Sequence, residues 1–410
     1  MNGILINSCN YTLIYYDNPN TITYIKNNSV KRDGGVGIGL MVKRNSNIEL
    51  LRLVAMAFIT VHHFAIWGYF IGNEVHTVQP NTVWLQFLEI FRKIGVGLFI
   101  LITGYFAINP RPTFQKVWQL TNTVRFYALG LFIILLVCEQ LQFNTDLMWR
   151  SMFPTMRSMY WFITIYAILY IFSGYLSQFL SHLRRAQAVS FIALGVLIFM
   201  VLPTFLKGWG SQLTDLLPVF FFGLYLRMYG VSKRLTTLLK VLLGVTVVIA
   251  VLSIELSDLV GNNRPESQAI ADATSYFVTG SSPLAFIAAA YIFSQTIQRQ
   301  PRGNRLINWM GSSAVAIYLI QDYEPFHNTL WQNIFHVRDF ADSMATPAFI
   351  GYSFFVMAVI VIGAILIDKL LRYILMRPAQ VLLGLEMLAT RYAIRWFRNL
   401  IKVTGYQLEP

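Results

Sequence analysis

Charge is scarce in this chain: 12% of its 410 residues are Asp, Glu, Lys or Arg, 56% are hydrophobic, and the mean hydropathy is +0.53. An ordinary soluble domain carries about twice that share of charge, so a soluble globular protein is excluded. Cysteine is scarcer still, with only Cys9 and Cys138. That rules out a disulfide framework and a cysteine-based metal site, and it leaves the redox compartment unreadable. Metal-ligand spacings, a Gly-rich phosphate loop and a Gly-x-Ser-x-Gly elbow are also missing. No soluble domain, internal repeat or low-complexity segment interrupts the apolar pattern. Any chemistry therefore takes place within the membrane or at its edge.

What the sequence has is apolar length. A bilayer core about 30 Å thick needs roughly 20 mostly apolar residues per helix. On that criterion the chain reads as an all-α, polytopic integral membrane protein with about ten spans. They fall near 48–71, 93–108, 121–139, 159–180, 187–206, 215–229, 238–256, 274–296, 305–321 and 346–368. The second, sixth and ninth are short, and Gly95, Gly97, Gly104, Pro218 and Gly223 are expected to interrupt or thin them.

The net charge of +13 then becomes a topology signal. With the N-terminus in the cytoplasm, about 25 of the 32 Lys and Arg lie on the inner side and about 13 of the 19 Asp and Glu on the outer side, as the positive-inside rule requires. No nucleic-acid partner is implied. Both termini are expected in the cytoplasm. Residues 1–44 form a leader, 45–370 the membrane domain and 371–410 a tail. In that tail Leu, Ile, Trp and Phe interleave with Arg391, Arg395, Arg398 and Lys402, the pattern of a helix lying on the inner leaflet.

"NIELLRLVAMAFITVHHF", residues 47–64, holds the most expensive side chains. Arg52 and His63 are eleven positions apart, about 1,100° of helix, within about 20° of three full turns. They share a face, about 16 Å apart along the axis. Glu49, three residues before Arg52, joins that face, whereas His62 is turned roughly 100° away. Arg52 as a snorkelling residue paired with Glu49, and His63 as a hydrogen-bonded core histidine, is the plain alternative. An ionisable group deep in a bilayer is nonetheless a candidate functional residue, and imidazole accepts and returns a proton near neutral pH.

Arg followed by ten residues and His in the first membrane helix resembles the signature of membrane acyltransferase family 3, the bacterial O-acyltransferases of surface and exported glycans. "IGVGLFILITGYFAI" from Ile94 is similar to the family's second-helix run, "VRFYALGLF" from Val124 to its basic third-helix opening, and "MYWFITIYAILY" to its Trp-Phe helix. "INWMGSSAVAIYLIQDY" from Ile307 resembles its late helix. Three positions depart: Asn122 stands where the first arginine of an Arg-x-x-Arg pair is common, with Lys116 nearby, Gln321 stands where a histidine is frequent, and Thr103 replaces the usual serine but keeps its hydroxyl.

The resemblance implies an O-acyltransferase, most simply an O-acetyltransferase, with acyl-CoA as donor substrate, no permanently bound cofactor and no metal. The acceptor would be a surface polysaccharide or its lipid-linked precursor. His63 is the candidate base or acyl carrier, and Arg52 is a candidate catalytic residue and phosphate ligand shared with Arg125 and Lys116. Glu49, Trp161, Asp322 and Glu324 are candidate substrate-binding residues, with His327 beside the last two; Arg125 and Trp161 also suit interfacial anchoring. A transporter that passes acyl groups or glycan without chemistry is the competing class, although such proteins tend to place polar residues in both halves. A polysaccharide polymerase would need a larger outer loop.

The segment before "MVKRNSN" reads as lying upstream of the natural start. Intact-mass measurement of the native protein is expected to show a chain beginning at Met41; a mass beginning at residue 1 refutes it.

Overall fold

A computed structural model describes residues 44–72, 78–108, 112–206, 211–261 and 282–403, together with four short strands in the leader. In the leader, Thr23–Tyr24 pairs antiparallel with Met41–Val42 and Ser29–Arg32 with Gly35–Ile38. The rest of the leader lies outside the described residues, as do 274–281 of the eighth expected span.

Among the described residues, the regular structure of the membrane domain is all helical. In chain order the helices are α1 (Ser46–Ala65), α2 (Pro80–Glu89), α3 (Phe91–Tyr105), α4 (Phe114–Val137), α5 (Thr145–Met152), α6 (Trp161–Ser181), α7 (Arg185–Val196) and α8 (Leu202–Phe205). Then come α9 (Gln212–Tyr229), α10 (Lys233–Gly261), α11 (Pro283–Ile297), α12 (Arg305–Gly311), α13 (Ala314–Gln321), α14 (Val337–Ser343) and α15 (Thr346–Val403). Several of their starts carry side-chain caps. Asn45 accepts from the Asn47 N–H, Thr113 from Lys116, and Asn304 from Leu306 and Ile307. Pro283 occupies the first turn of α11, where its missing N–H costs nothing.

Among the described residues, five helical stretches are long and apolar enough to cross a membrane: Ser46–Phe70, Gln115–Val137, Trp161–Ser181, Lys233–Leu256 and Thr346–Ile374. Arg185–Val201 and Pro283–Ile297 are apolar but shorter. The second expected span is α3, at 15 residues. The ninth is not one helix but two, α12 and α13, divided at Ser312–Ser313. At that break Ser313 Oγ donates to Asp368 Oδ2 at 2.6 Å, Arg372 Nη2 donates to the Ser312 carbonyl at 3.1 Å, and Lys369 donates to the Ser312 hydroxyl. Tyr127 of α4 donates to the other Asp368 oxygen at 2.6 Å. The break is thus held by three side chains of α15 that satisfy its freed backbone and side-chain atoms, and Tyr127 of α4 holds one of the three in place. α15 continues unbroken through Val403, so the tail expected on the inner leaflet joins the last span without a turn. The short helices α2, α5 and α14 fall in connections that the hydropathy profile leaves blank.

The glycines expected to weaken the short spans are instead where helices meet. A Cβ on Gly95 of α3 would stand 2.5 Å from the Ala55 carbonyl oxygen of α1. One on Gly104 would stand 2.0 Å from the Phe220 carbonyl oxygen, and one on Gly223 of α9 would stand 2.4 Å from that of Leu101. Backbone therefore lies on backbone along α1, α3 and α9, the packing that small residues permit in a bilayer. Pro218 is accommodated inside α9, against Gly195 of α7. Outside this core, Val245, Val248 and Leu252 of α10 and Phe354, Phe355 and Ile362 of α15 are exposed, as lipid-facing positions should be.

Replacing Gly104 by Leu should therefore cost about 2 kcal/mol or more, since the clash is with backbone and cannot be relieved by a rotamer change. Gly130 of α4 has nothing within 4 Å of its Cβ position. In detergent, Gly104→Leu is expected to lower the melting temperature by several degrees and Gly130→Leu to leave it in place.

Candidate functional site

The stripe read from the sequence is present on α1, and its two ends are built differently. At the Arg52 end, Arg52 Nη1 donates to Glu49 Oε1 at 2.8 Å, and Arg44 Nε lies 3.9 Å from the same oxygen. Glu49 is 1% exposed. Its carboxylate fits because Gly311, closing α12, lacks a side chain: a Cβ there would stand 2.6 Å from Glu49 Oε2. Glu49 is placed against Arg52, so its direct structural consequence is to orient the guanidinium. Tyr166 of α6, which rests against Thr103, lies within the electrostatic reach of Arg52.

At the other end, His63 Nε2 stands 3.4 Å from Asp322 Oδ1, and both residues are buried. Asp322 follows the last residue of α13, and its position is set one residue earlier. Gln321 Nε2 donates to Thr60 Oγ1 at 2.9 Å, and the Thr60 hydroxyl donates in turn to the Met56 carbonyl at 3.0 Å. Gln321, at the position where the family resemblance favours a histidine, is thus a clamp between α13 and α1, one turn below His63. Asp322 is correspondingly buried and is not the exposed loop acid that sequence position alone suggests.

A second histidine joins this end. His327 Nε2 is 4.0 Å from Asp322 Oδ1, and the Trp67 ring stacks on the imidazole with centroids 4.1 Å apart. Trp67 is four residues beyond His63, so helical spacing could have identified it. It belongs to a π-helical turn, Ile66–Phe70, that extends α1. Gln332, from a second such turn at Thr329–Ile334, donates to the carbonyls of Trp67 and Gly68 at 3.3 and 2.8 Å. Burial pushes the His327 imidazole down to about 4, against the opposing influence of the Glu324 charge and the Gln321 backbone. His62 is also buried, with its ring centroid 5.6 Å from that of His63.

The remaining sequence candidates lie elsewhere. Glu324 is exposed and accepts from Arg150 Nη2 at 2.6 Å. Trp161, opening α6, lies beneath the ammonium of Lys93, whose Nζ is 4.9 Å from the ring centroid. Lys93 is itself 9% exposed. Sequence reasoning misses it because a lysine at a helix start ordinarily snorkels. Arg125 stands over the Trp118 ring of its own helix at 6.0 Å. Lys116, nine residues earlier, is half a turn out of phase with it, so one ligand group would not meet both from a single side. A groove of about 440 Å³ between α1 and α11 is lined by Asn47, Leu50, Val54, Ile292, Gln295 and Arg299. By helical phase it flanks α1 on the side away from Arg52 and His63.

Between about pH 4 and 6.5, folded His327 binds fewer protons than it does in the unfolded chain, so the protein loses stability as pH falls through that window. The melting temperature is expected to drop from pH 6.5 to 4, and to drop less steeply in His327→Gln.

No curated protein and no solved structure matches the chain. A family model described as an acyltransferase domain does, over residues 45–368. The match begins at the cap of α1 and ends at Asp368, and it contains Glu49, Arg52, His63, Asp322 and His327. The chain, a multi-pass membrane protein, belongs to membrane acyltransferase family 3.

Proposed function

We propose that this acyltransferase is an O-acyltransferase that moves an acyl group, most simply acetyl, from cytosolic acyl-CoA to a hydroxyl of a surface polysaccharide or its lipid-linked precursor. The supporting observation is the His63–Asp322 contact, buried at one end of a helical stripe whose other end carries Arg52. In this reading the Arg52 end faces the cytoplasm of a bacterial cell, as the distribution of basic residues favours. The distance of about 16 Å along α1 suits a long donor whose phosphates lie at Arg52 and whose thioester reaches His63.

The reaction needs a base, because a sugar hydroxyl is a poor nucleophile at neutral pH. His63 takes the hydroxyl proton as the oxygen attacks the thioester carbonyl. The tetrahedral intermediate then collapses with cleavage of the C–S bond, and the departing CoA thiolate receives the proton from the imidazolium. The products are the glycan ester and CoA thiol, with no net gain or loss of protons. Glu49 holds Arg52 in register for the donor. Trp161 and Glu324 remain candidates for contact with the acceptor. Purified protein incubated with labelled acetyl-CoA and isolated polysaccharide, without other proteins, separates this reading from transport alone: a transporter leaves the polysaccharide unlabelled.

His63→Ala is expected to insert and fold yet to lower transfer by about 10²- to 10⁴-fold. Arg52→Ala is expected to raise KM for the donor, with Arg52→Lys intermediate. NMR of polysaccharide from cells carrying His63→Ala should lack the ester signal; an undiminished ester signal would overturn the assignment of His63.

A further inference from the structure

Asp322 receives two imidazoles on one oxygen. His63 Nε2 approaches Oδ1 to 3.4 Å and His327 Nε2 to 4.0 Å. The carboxylate is carried there by Gln321, which is bound to Thr60 on α1. Other titratable groups also face it. His62 adjoins His63 on α1, Tyr318 of α13 and Tyr160 beside α6 lie within its electrostatic reach, and Tyr323 and Glu324 come directly after it in the chain. Tyr160 is tied down by a 3.0 Å hydrogen bond from its hydroxyl to the Leu319 carbonyl, and Tyr323 by one of 2.9 Å with Ser151. The buried groups around Asp322 are thus imidazoles and phenols, and its most direct charge partner is a histidine.

We propose that Asp322 is the positioning carboxylate of His63: it holds the imidazole through Nε2, makes Nδ1 the nitrogen that takes the hydroxyl proton, and balances the imidazolium that results. This rests on His63 being the base. The arrangement fixes one tautomer, since a proton on Nε2 faces the carboxylate and the basic lone pair is left on Nδ1. Burial beneath Trp67 keeps His327 neutral near pH 7, so it does not compete with protonated His63 for the charge of Asp322. The proton passes only between substrate oxygen, His63 and departing sulfur. Asp322 thereby acquires a role other than the hydrogen bonding of sugar hydroxyls that its place in the sequence suggests.

The test uses full-length protein in liposomes, with labelled acetyl-CoA and polysaccharide isolated from cells lacking the protein. Asp322→Asn is expected to lower kcat by about 10²- to 10⁴-fold, with KM for both substrates within about threefold of wild type. The acid limb of its pH–rate profile should move to lower pH by about one unit or more, because imidazolium formation has lost its counter-charge. Asp322→Glu should recover part of the rate with the limb near its original place, and it decides the matter if the Asn variant does not fold. A wild-type rate in Asp322→Asn, a reduced rate with an unmoved acid limb, or a loss confined to KM for the polysaccharide would each overturn the proposal. Activity surviving in His63→Ala would instead sink the underlying reading of the base. A silent His63→Ala beside a fully active Asp322→Asn would sink this inference alone.

Discussion

The close approach of α1, α3 and α9 is the constraint on which the rest of the bundle is hung. In a bilayer the surroundings are as apolar as leucine, so helices gain little by hiding apolar faces from them. What holds them is contact between surfaces that fit. Gly95, Gly104 and Gly223 let carbonyl oxygens of one helix occupy the space of a missing Cβ on the next. With α1 fixed against α3 in this way, the polar face of α1 has a defined direction, and the residues on it meet partners instead of lipid.

Those partners are supplied by the late part of the chain through hydrogen bonds that an apolar medium makes expensive to leave unmade. Gln321 bonds to Thr60, and Asp368 gathers Tyr127, Ser313 and Arg372. The Asp368 knot sits where α12 stops and α13 begins, and the Gln321 clamp lies at the far end of α13. α13 is only eight residues long, yet both its ends are fastened by side chains from other helices. Asp322 inherits that fixity. A carboxylate at the end of a long free helix would have no comparable reason to stay beside one imidazole.

The parts of the site that lie on one helix are legible in the sequence, because 100° per residue converts spacing directly into direction. Glu49, Arg52 and His63 fall on one stripe, and His62 off it, by that arithmetic alone. The partner of His63 is not legible, since it lies more than about 250 positions away in the chain, beyond the reach of any helical periodicity. Asp322 is visible in the sequence only as one acid in a polar loop, and Gln321 only as a departure. Lys93 and Trp161 are hidden for a related reason: each has an ordinary use at a helix end, and only their juxtaposition makes them unusual. The glycines mislead because helix propensity describes an isolated helix, whereas here packing rules. A residue that weakens an isolated helix is the one that lets two helices touch.

The π-helical turn at Ile66–Phe70 bears on how such a site could arise. A turn of this kind holds one residue more than the α-helical turn it replaces. Removal of a single residue between His63 and Trp67 would restore the ordinary winding, leave the side chains after Phe70 in their present directions, and carry Trp67 from the fourth position after His63 to the third, about 100° round the helix. The ring that now lies on His327 would leave it, and the carbonyls received by Gln332 would return to the helix's own ladder. The pairing of the two histidines through one carboxylate is therefore coupled to chain length within a few residues, so a one-residue insertion or deletion there would reshape the pocket more than most substitutions.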